Sequence, residues 1–195
     1  MQKHLIALAA TLCFGFTGMA FAADAAGSID KATHKATEEK IESQYKADKK
    51  ACDGMNGNAK DVCKAEAKGK EKVAKAENDA QYKPSAKADE KVKKAKADAD
   101  YDVAKEKCED QKGNAKDVCK KDAKAAHEAA KGQAKADKAA ATKGSTSAAA
   151  ADASKDASKD TADAQYSAAK ERCDSMKGDT KDKCVADAKK KFGKS

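Results

Sequence analysis

The chain has no tryptophan and one proline, and aromatic residues fill only 4% of its 195 positions. Leucine occurs only at Leu5, Leu8 and Leu12. From residue 23 onward the large apolar residues are two isoleucines, six valines, two methionines, one phenylalanine and four tyrosines. Full burial of one such side chain contributes about 1.5–3 kcal/mol. Fifteen of them across that length exclude a conventional core. Arg172 is the only arginine. Together with so few rings for base stacking, this speaks against nucleic-acid binding despite a formal net charge of +8. Beyond His4 there are only His34 and His127, which are not paired at helical spacing, and the cysteines lack the close spacing of zinc sites. No serine, cysteine or carboxylate stands in a recognisable catalytic context. The expectation is therefore no metal, no cofactor and no enzymatic activity.

What is abundant is alanine and lysine, with aspartate and glutamate mixed among the lysines; charged residues make up 38% of the chain. Alanine and lysine are good helix formers. The charges often fall three or four residues apart, the spacing of ion pairs along a solvated helix face. Long, thin helices are expected, rather than a globule.

One stretch is written three times. The copies are Cys52-Asp-Gly-Met-Asn-Gly-Asn-Ala-Lys-Asp-Val-Cys63, Cys108-Glu-Asp-Gln-Lys-Gly-Asn-Ala-Lys-Asp-Val-Cys119 and Cys173-Asp-Ser-Met-Lys-Gly-Asp-Thr-Lys-Asp-Lys-Cys184. A tyrosine (Tyr45, Tyr101, Tyr166) stands seven residues before each first cysteine. Gly57, Gly113 and Gly178 read as left-handed residues ending one helix. Asn58, Asn114 and Asp179 read as N-caps of the next, with Asp61, Asp117 and Asp182 in its first turn. In one continuous helix the paired cysteines would stand about 16 Å apart, whereas a disulfide needs α-carbons within about 7 Å. The spacing thus predicts antiparallel hairpins with local bridges Cys52–Cys63, Cys108–Cys119 and Cys173–Cys184, out of fifteen connectivities open to six cysteines. Longer pairings would close large loops before any core rewards them.

Taken in order, residues 1–22 read as a secretory signal peptide. Lys3 and His4 precede an apolar run from Leu5 to Phe16, and Ala20-Phe21-Ala22 supplies a cleavage site. The run is too short for a membrane span, so none is expected after cleavage. Cys13 leaves with the signal, and the remaining cysteines form three pairs, as in an oxidising compartment. Hairpin repeat 1 is placed at residues 23–84, with Ser28 as its first cap and Pro84-Ser85 as its boundary. Tyr45 falls opposite Gly69–Lys70, where the glycine either admits the ring or merely weakens the helix. Repeat 2 occupies 85–143. Residues 144–162, with Gly144-Ser-Thr-Ser and the tetrads Ala153-Ser-Lys-Asp and Ala157-Ser-Lys-Asp, read as a low-complexity linker, although a fraying helix fits the composition equally. Repeat 3 spans 163–195 and sets Tyr166 near Phe192. Its basic tail (Lys189, Lys190, Lys191 and Lys194) is a candidate patch for anionic polymers.

The signal peptide with Ala/Lys/Asp/Glu-rich helices, the run Lys112-Gly-Asn-Ala-Lys-Asp-Val-Cys119 and the run Ala67-Lys-Gly-Lys-Glu-Lys-Val-Ala-Lys-Ala-Glu77 resemble the Gram-negative periplasmic helical proteins called TolA-like. For TolA itself the resemblance is one of composition. It implies a periplasmic structural or interaction protein, a spacer or adaptor whose partners are envelope proteins or anionic envelope polymers. The Ala-Ser-Lys-Asp tetrads also resemble desiccation-protective helical repeats, which implies a stress-protectant alternative. The expected fold is all-α: three elongated antiparallel hairpins, each closed by a disulfide, with little core.

Overall fold

A computed structural model describes residues 28–142 and 147–194. The expected signal peptide lies outside the described residues. Among the described residues six α-helices follow one another: α1 (Lys31–Ala51), α2 (Gly57–Tyr82), α3 (Ala86–Cys108), α4 (Gly113–Ala141), α5 (Ser147–Cys173) and α6 (Gly178–Lys191). A short 3-10 turn, Cys52–Gly54, lies between α1 and α2. The fold is all-α, and the three disulfides Cys52–Cys63, Cys108–Cys119 and Cys173–Cys184 hold α-carbons 5.7, 5.6 and 5.7 Å apart.

Among the described residues each helix packs only against its neighbours in the chain. The result is an up-and-down layer one helix thick. An inner helix therefore buries two opposite stripes and leaves two faces in solvent. On α3, Ala97 and Glu90 lie on the stripe toward α4, while Ala99 lies against Gly69 of α2. Among the described residues every buried apolar residue is alanine or cysteine, and Cys52, Cys108 and Cys173 are the largest side chains fully enclosed. With so little to bury, cystines carry part of what a core would; closing such a loop contributes about 2–3 kcal/mol in the chain-entropy model.

Alanine interfaces let backbones come close. A β-carbon added at Gly69 would stand 2.8 Å from that of Ala99, and one added at Gly132 of α4 would stand 2.7 Å from that of Ala157 on α5. Gly69 thus serves the α2–α3 contact, between hairpins, and not the Tyr45 ring. Both close contacts join a hairpin to the next, so the three hairpins form one continuous layer.

This places residues 147–162 differently from a linker, while residues 144–146 of that expectation lie outside the described residues. From Ser147 onward the segment is the first half of α5, packed along α4. The tetrads have a structural reason: Ala153 and Ala157, four residues apart, turn toward α4, while Ser154, Lys155, Asp156, Ser158, Lys159 and Asp160 stay exposed. At the other end, α1 begins from Asp30, which accepts from the Thr33 amide at 2.8 Å, and Ser28 is not its cap. Ser85 does cap α3, accepting from the Ala88 amide at 3.1 Å.

Candidate functional site

The three stapled corners are the most repeated chemistry in the chain. In each, the amide three residues after the first cysteine donates to that cysteine's carbonyl: Met55 to Cys52 at 3.1 Å, Gln111 to Cys108 at 3.1 Å and Met176 to Cys173 at 3.0 Å. These bonds close a tight last turn, so the first arm ends near its cysteine and not at the glycine. Gly57, Gly113 and Gly178 have φ of 57°, 55° and 56°, the left-handed values expected, but they open the second arm. The residues at its cap positions are Asn56, Lys112 and Lys177. An ion pair spans every corner: Lys60–Asp53 at 3.7 Å, Lys116–Glu109 at 2.6 Å and Lys181–Asp174 at 2.8 Å.

Asn58 and Asn114 are therefore not N-caps, and their amides work elsewhere. Asn58 Nδ2 donates to the Glu106 carbonyl at 2.7 Å, and Asn114 Nδ2 donates to the Glu171 carbonyl at 2.8 Å. Each acceptor stands two residues before the first cysteine of the next repeat. The amide thus supplies a second donor to a carbonyl in the last turn of α3 or α5, which already accepts from the Glu109 amide at 3.0 Å or the Asp174 amide at 3.1 Å. Asp179, at the same position of the third copy, is exposed. These ties, with the Gly–Ala contacts, join corner to corner.

A second repeated device is legible in the sequence only at its third copy, where Tyr166 is expected near Phe192 and meets it. Asp79-Ala-Gln-Tyr82, Asp98-Ala-Asp-Tyr101 and Asp163-Ala-Gln-Tyr166 are three Asp-x-x-Tyr units. In each the tyrosine meets a ring from the other arm of its hairpin, and the aspartate pairs with a side-chain nitrogen from that arm or its end. His34 stacks on Tyr82 with centroids 4.5 Å apart, and its Nε2 lies 3.1 Å from Asp79. His127 stacks on Tyr101 at 4.6 Å, with Nε2 2.6 Å from Asp98. Tyr166 meets Phe192 edge to face at 6.5 Å, and Lys194 pairs with Asp163. His127 and Phe192 both stand eight residues after a second cysteine, a signal that an alignment of the repeats would have exposed.

His34, Glu38 and Asp79 bring three metal-type ligand atoms within 4.8 Å of one another. The imidazole divides its nitrogens, however: Nε2 faces Asp79 and Nδ1 stands 3.9 Å from Glu38. His127 is divided in the same way, with Nδ1 3.8 Å from Glu128. Two histidines with the same partners read as interhelical clamps. Beneath the first, Asn78 is 2% exposed and donates to the His34 carbonyl at 2.9 Å, while its Oδ1 has no partner.

A few ion-paired carboxylates are held in their charged form. Lys138 and Lys94 bond the nearly buried Glu90 and hold its pKa below the ordinary value. Lys116 and Lys120 lower Glu109 to about 2. Lys181 lowers Asp174, while Lys93 and then Gln133 lower Asp137. General acids and bases are tuned the other way, toward the working pH.

A groove of about 620 Å³ lies between α2 and α3, floored by Val73, Ala74, Val103 and Ala104 and edged by Glu66 and Lys107. It is open along the layer. In the basic tail, Lys189, Lys190 and Lys191 are exposed in the last turn of α6, where cations suit the helix dipole. Lys194 is drawn away to Asp163, and Lys191 Nζ lies 5.2 Å over the Phe192 ring. The patch is thus three lysines of one helical turn, and the fourth is engaged.

No protein-family model, curated protein or solved structure matches this chain. Among the described residues no helix is long and apolar enough to cross a membrane.

Proposed function

We propose that the protein is an exported, non-enzymatic spacer or adaptor of the cell envelope, of the TolA-like periplasmic kind. The observation that carries this reading is the layer itself: three disulfide-closed hairpins tied corner to corner, one helix thick, with both broad faces in solvent. Such a layer offers a large charged surface for its mass and holds its shape without a deep core. Disulfides persist in oxidising compartments, which fits export to the periplasm through the signal peptide read at residues 1–22. The carboxylates are pinned as ion-pair partners, a structural use of charge.

The test is cell fractionation followed by crosslinking in the envelope. The expected result is oxidised protein in the periplasmic fraction with discrete adducts to envelope proteins or anionic polymers. Recovery in the cytoplasm with free thiols contradicts the proposal.

One observation favours a second reading, a periplasmic stress protectant. The first half of α5 exposes a repeated Ser-Lys-Asp surface dense in groups that water hydrates. That reading predicts that deletion impairs survival of drying or osmotic shock while leaving envelope integrity intact.

A further inference from the structure

The two inter-hairpin contacts share one register, and it extends to a helix with no partner on that side among the described residues. Counting back five, nine, sixteen and twenty residues from the first cysteine gives Val103, Ala99, Val92 and Ala88 on α3, and Ala168, Ala164, Ala157 and Ala153 on α5. All eight are buried or half-buried, and they lie on the stripe turned toward the preceding hairpin. The same count on α1 gives Ala47, Ser43, Ala36 and Ala32, all exposed. Every alanine of α1, Ala51 included, is exposed, whereas the residues turned toward α2 are His34, Thr37, Ile41, Tyr45 and Asp48. Among the described residues no helix other than α2 packs on α1 beyond the adjoining turn. The carbonyl of Lys50, matching those of Glu106 and Glu171, completes the pattern.

We infer that the outer face of α1 is a docking face for one more hairpin of this class, supplied by another molecule and carrying Asn at the tie position with glycine or alanine at the close contact. The chain's own third hairpin does not meet those terms. Asp179 stands where Asn58 and Asn114 stand. An ionised carboxylate only accepts hydrogen bonds, so it cannot donate to the Lys50 carbonyl, and it would face the negative end of the α1 dipole. Lys190 stands six residues after the second cysteine, where α2 has Gly69 and α4 has Ala125. A long side chain there prevents the close approach that alanine packing needs. Asp179 and Lys190 thus keep copies of the chain from joining head to tail and leave the α1 face for a different partner. The inference rests on the adaptor reading for its biological role, and on repeat geometry alone for the face.

Sedimentation of the purified, oxidised protein tests the face apart from the role. The wild type should remain a monomer across a concentration series. The D179N/K190G variant should associate head to tail, a heterologous contact that grows open chains, with average mass rising about twofold or more. Adding A36E, on the exposed side of α1, should return it to monomer. D179N/K190A serves as a second variant, with helix content and intact disulfides checked for each. A monomeric pair of variants, association that survives A36E, or a wild type that already chains through α1 would overturn the inference. Failure here leaves envelope crosslinking as a separate test of the adaptor role.

Discussion

Asn58 and Glu106 stand on different hairpins and are joined by one bond, the Asn58 amide to the Glu106 carbonyl at 2.7 Å. Asn114 and Glu171 repeat it at 2.8 Å. The two ties occupy the same positions relative to the cystines, so the corner both closes a hairpin and aligns it with the next.

Replacing Asn58 or Asn114 with Ala should lower stability to urea by about 0.5–1.5 kcal/mol, the net worth of a neutral hydrogen bond. Aspartate should be worse than alanine at both positions, because it sets a charge against a helix C-terminus. Asp179→Ala, at an exposed side chain, should change stability little. An equal loss at all three positions would refute the tie.

Gly132→Ala sets helix propensity against space. Alanine gains about 1 kcal/mol in a helix, but its β-carbon would stand 2.7 Å from the β-carbon of Ala157 and 3.1 Å from its α-carbon. Overpacking costs about 1–3 kcal/mol, so the variant should be destabilised and should separate α4 from α5. Ala157→Gly should recover most of the loss when combined with it, and a double-mutant cycle in urea measures the coupling.

Acid should loosen the layer over a definite window. Glu90 and Glu109 have folded pKa values below the ordinary 4.5, with Glu109 at about 2. A depressed carboxylate contributes stability that is fully present above the unfolded pKa and is lost as pH falls through the folded one. The loss should run from roughly pH 4.5 toward pH 2. Glu90→Gln should lower neutral-pH stability and flatten that fall, as acid titrations followed by circular dichroism would show. An unchanged profile would contradict the role given to its Lys138 and Lys94 bonds.

Cys173→Ser should loosen the third hairpin most. Its second arm, α6, has 14 residues against 26 and 29 for α2 and α4. Removing one bridge over so short a loop costs about 2–3 kcal/mol in the chain-entropy model. Amide exchange should rise across α6 and the end of α5 while α1 and α2 remain protected. Uniform loss of protection would mean that the hairpins unfold only together.

The hairpins and bridges were legible because they rest on local chemistry: the C-x10-C spacing, a glycine with positive φ and a helix-rich composition. Docking between hairpins was not. Alanine gives the same local signal in a packed stripe as on a solvated face, so α5 could be mistaken for a linker and Gly69 for a seat for Tyr45. Asn58 misled because asparagine suits an N-cap as well as it suits a cross-link, and only the position of Glu106 decides between them. The histidine clamps were hidden by distance along the chain, since His34 and Asp79 are 45 residues apart.

The central claim is that the hairpins dock into one layer rather than hang as separate units. Small-angle scattering from the oxidised protein, after removal of any signal segment, tests it most directly. Six helices up to about 44 Å long, set 8–10 Å apart, should give a plate about one helix thick with a radius of gyration of about 20 Å. Independent hairpins on flexible joints should instead approach 30 Å, and a compact globule of this length would give about 16 Å. A plate-like distance distribution near 20 Å that survives in high salt supports the account; either other form contradicts it.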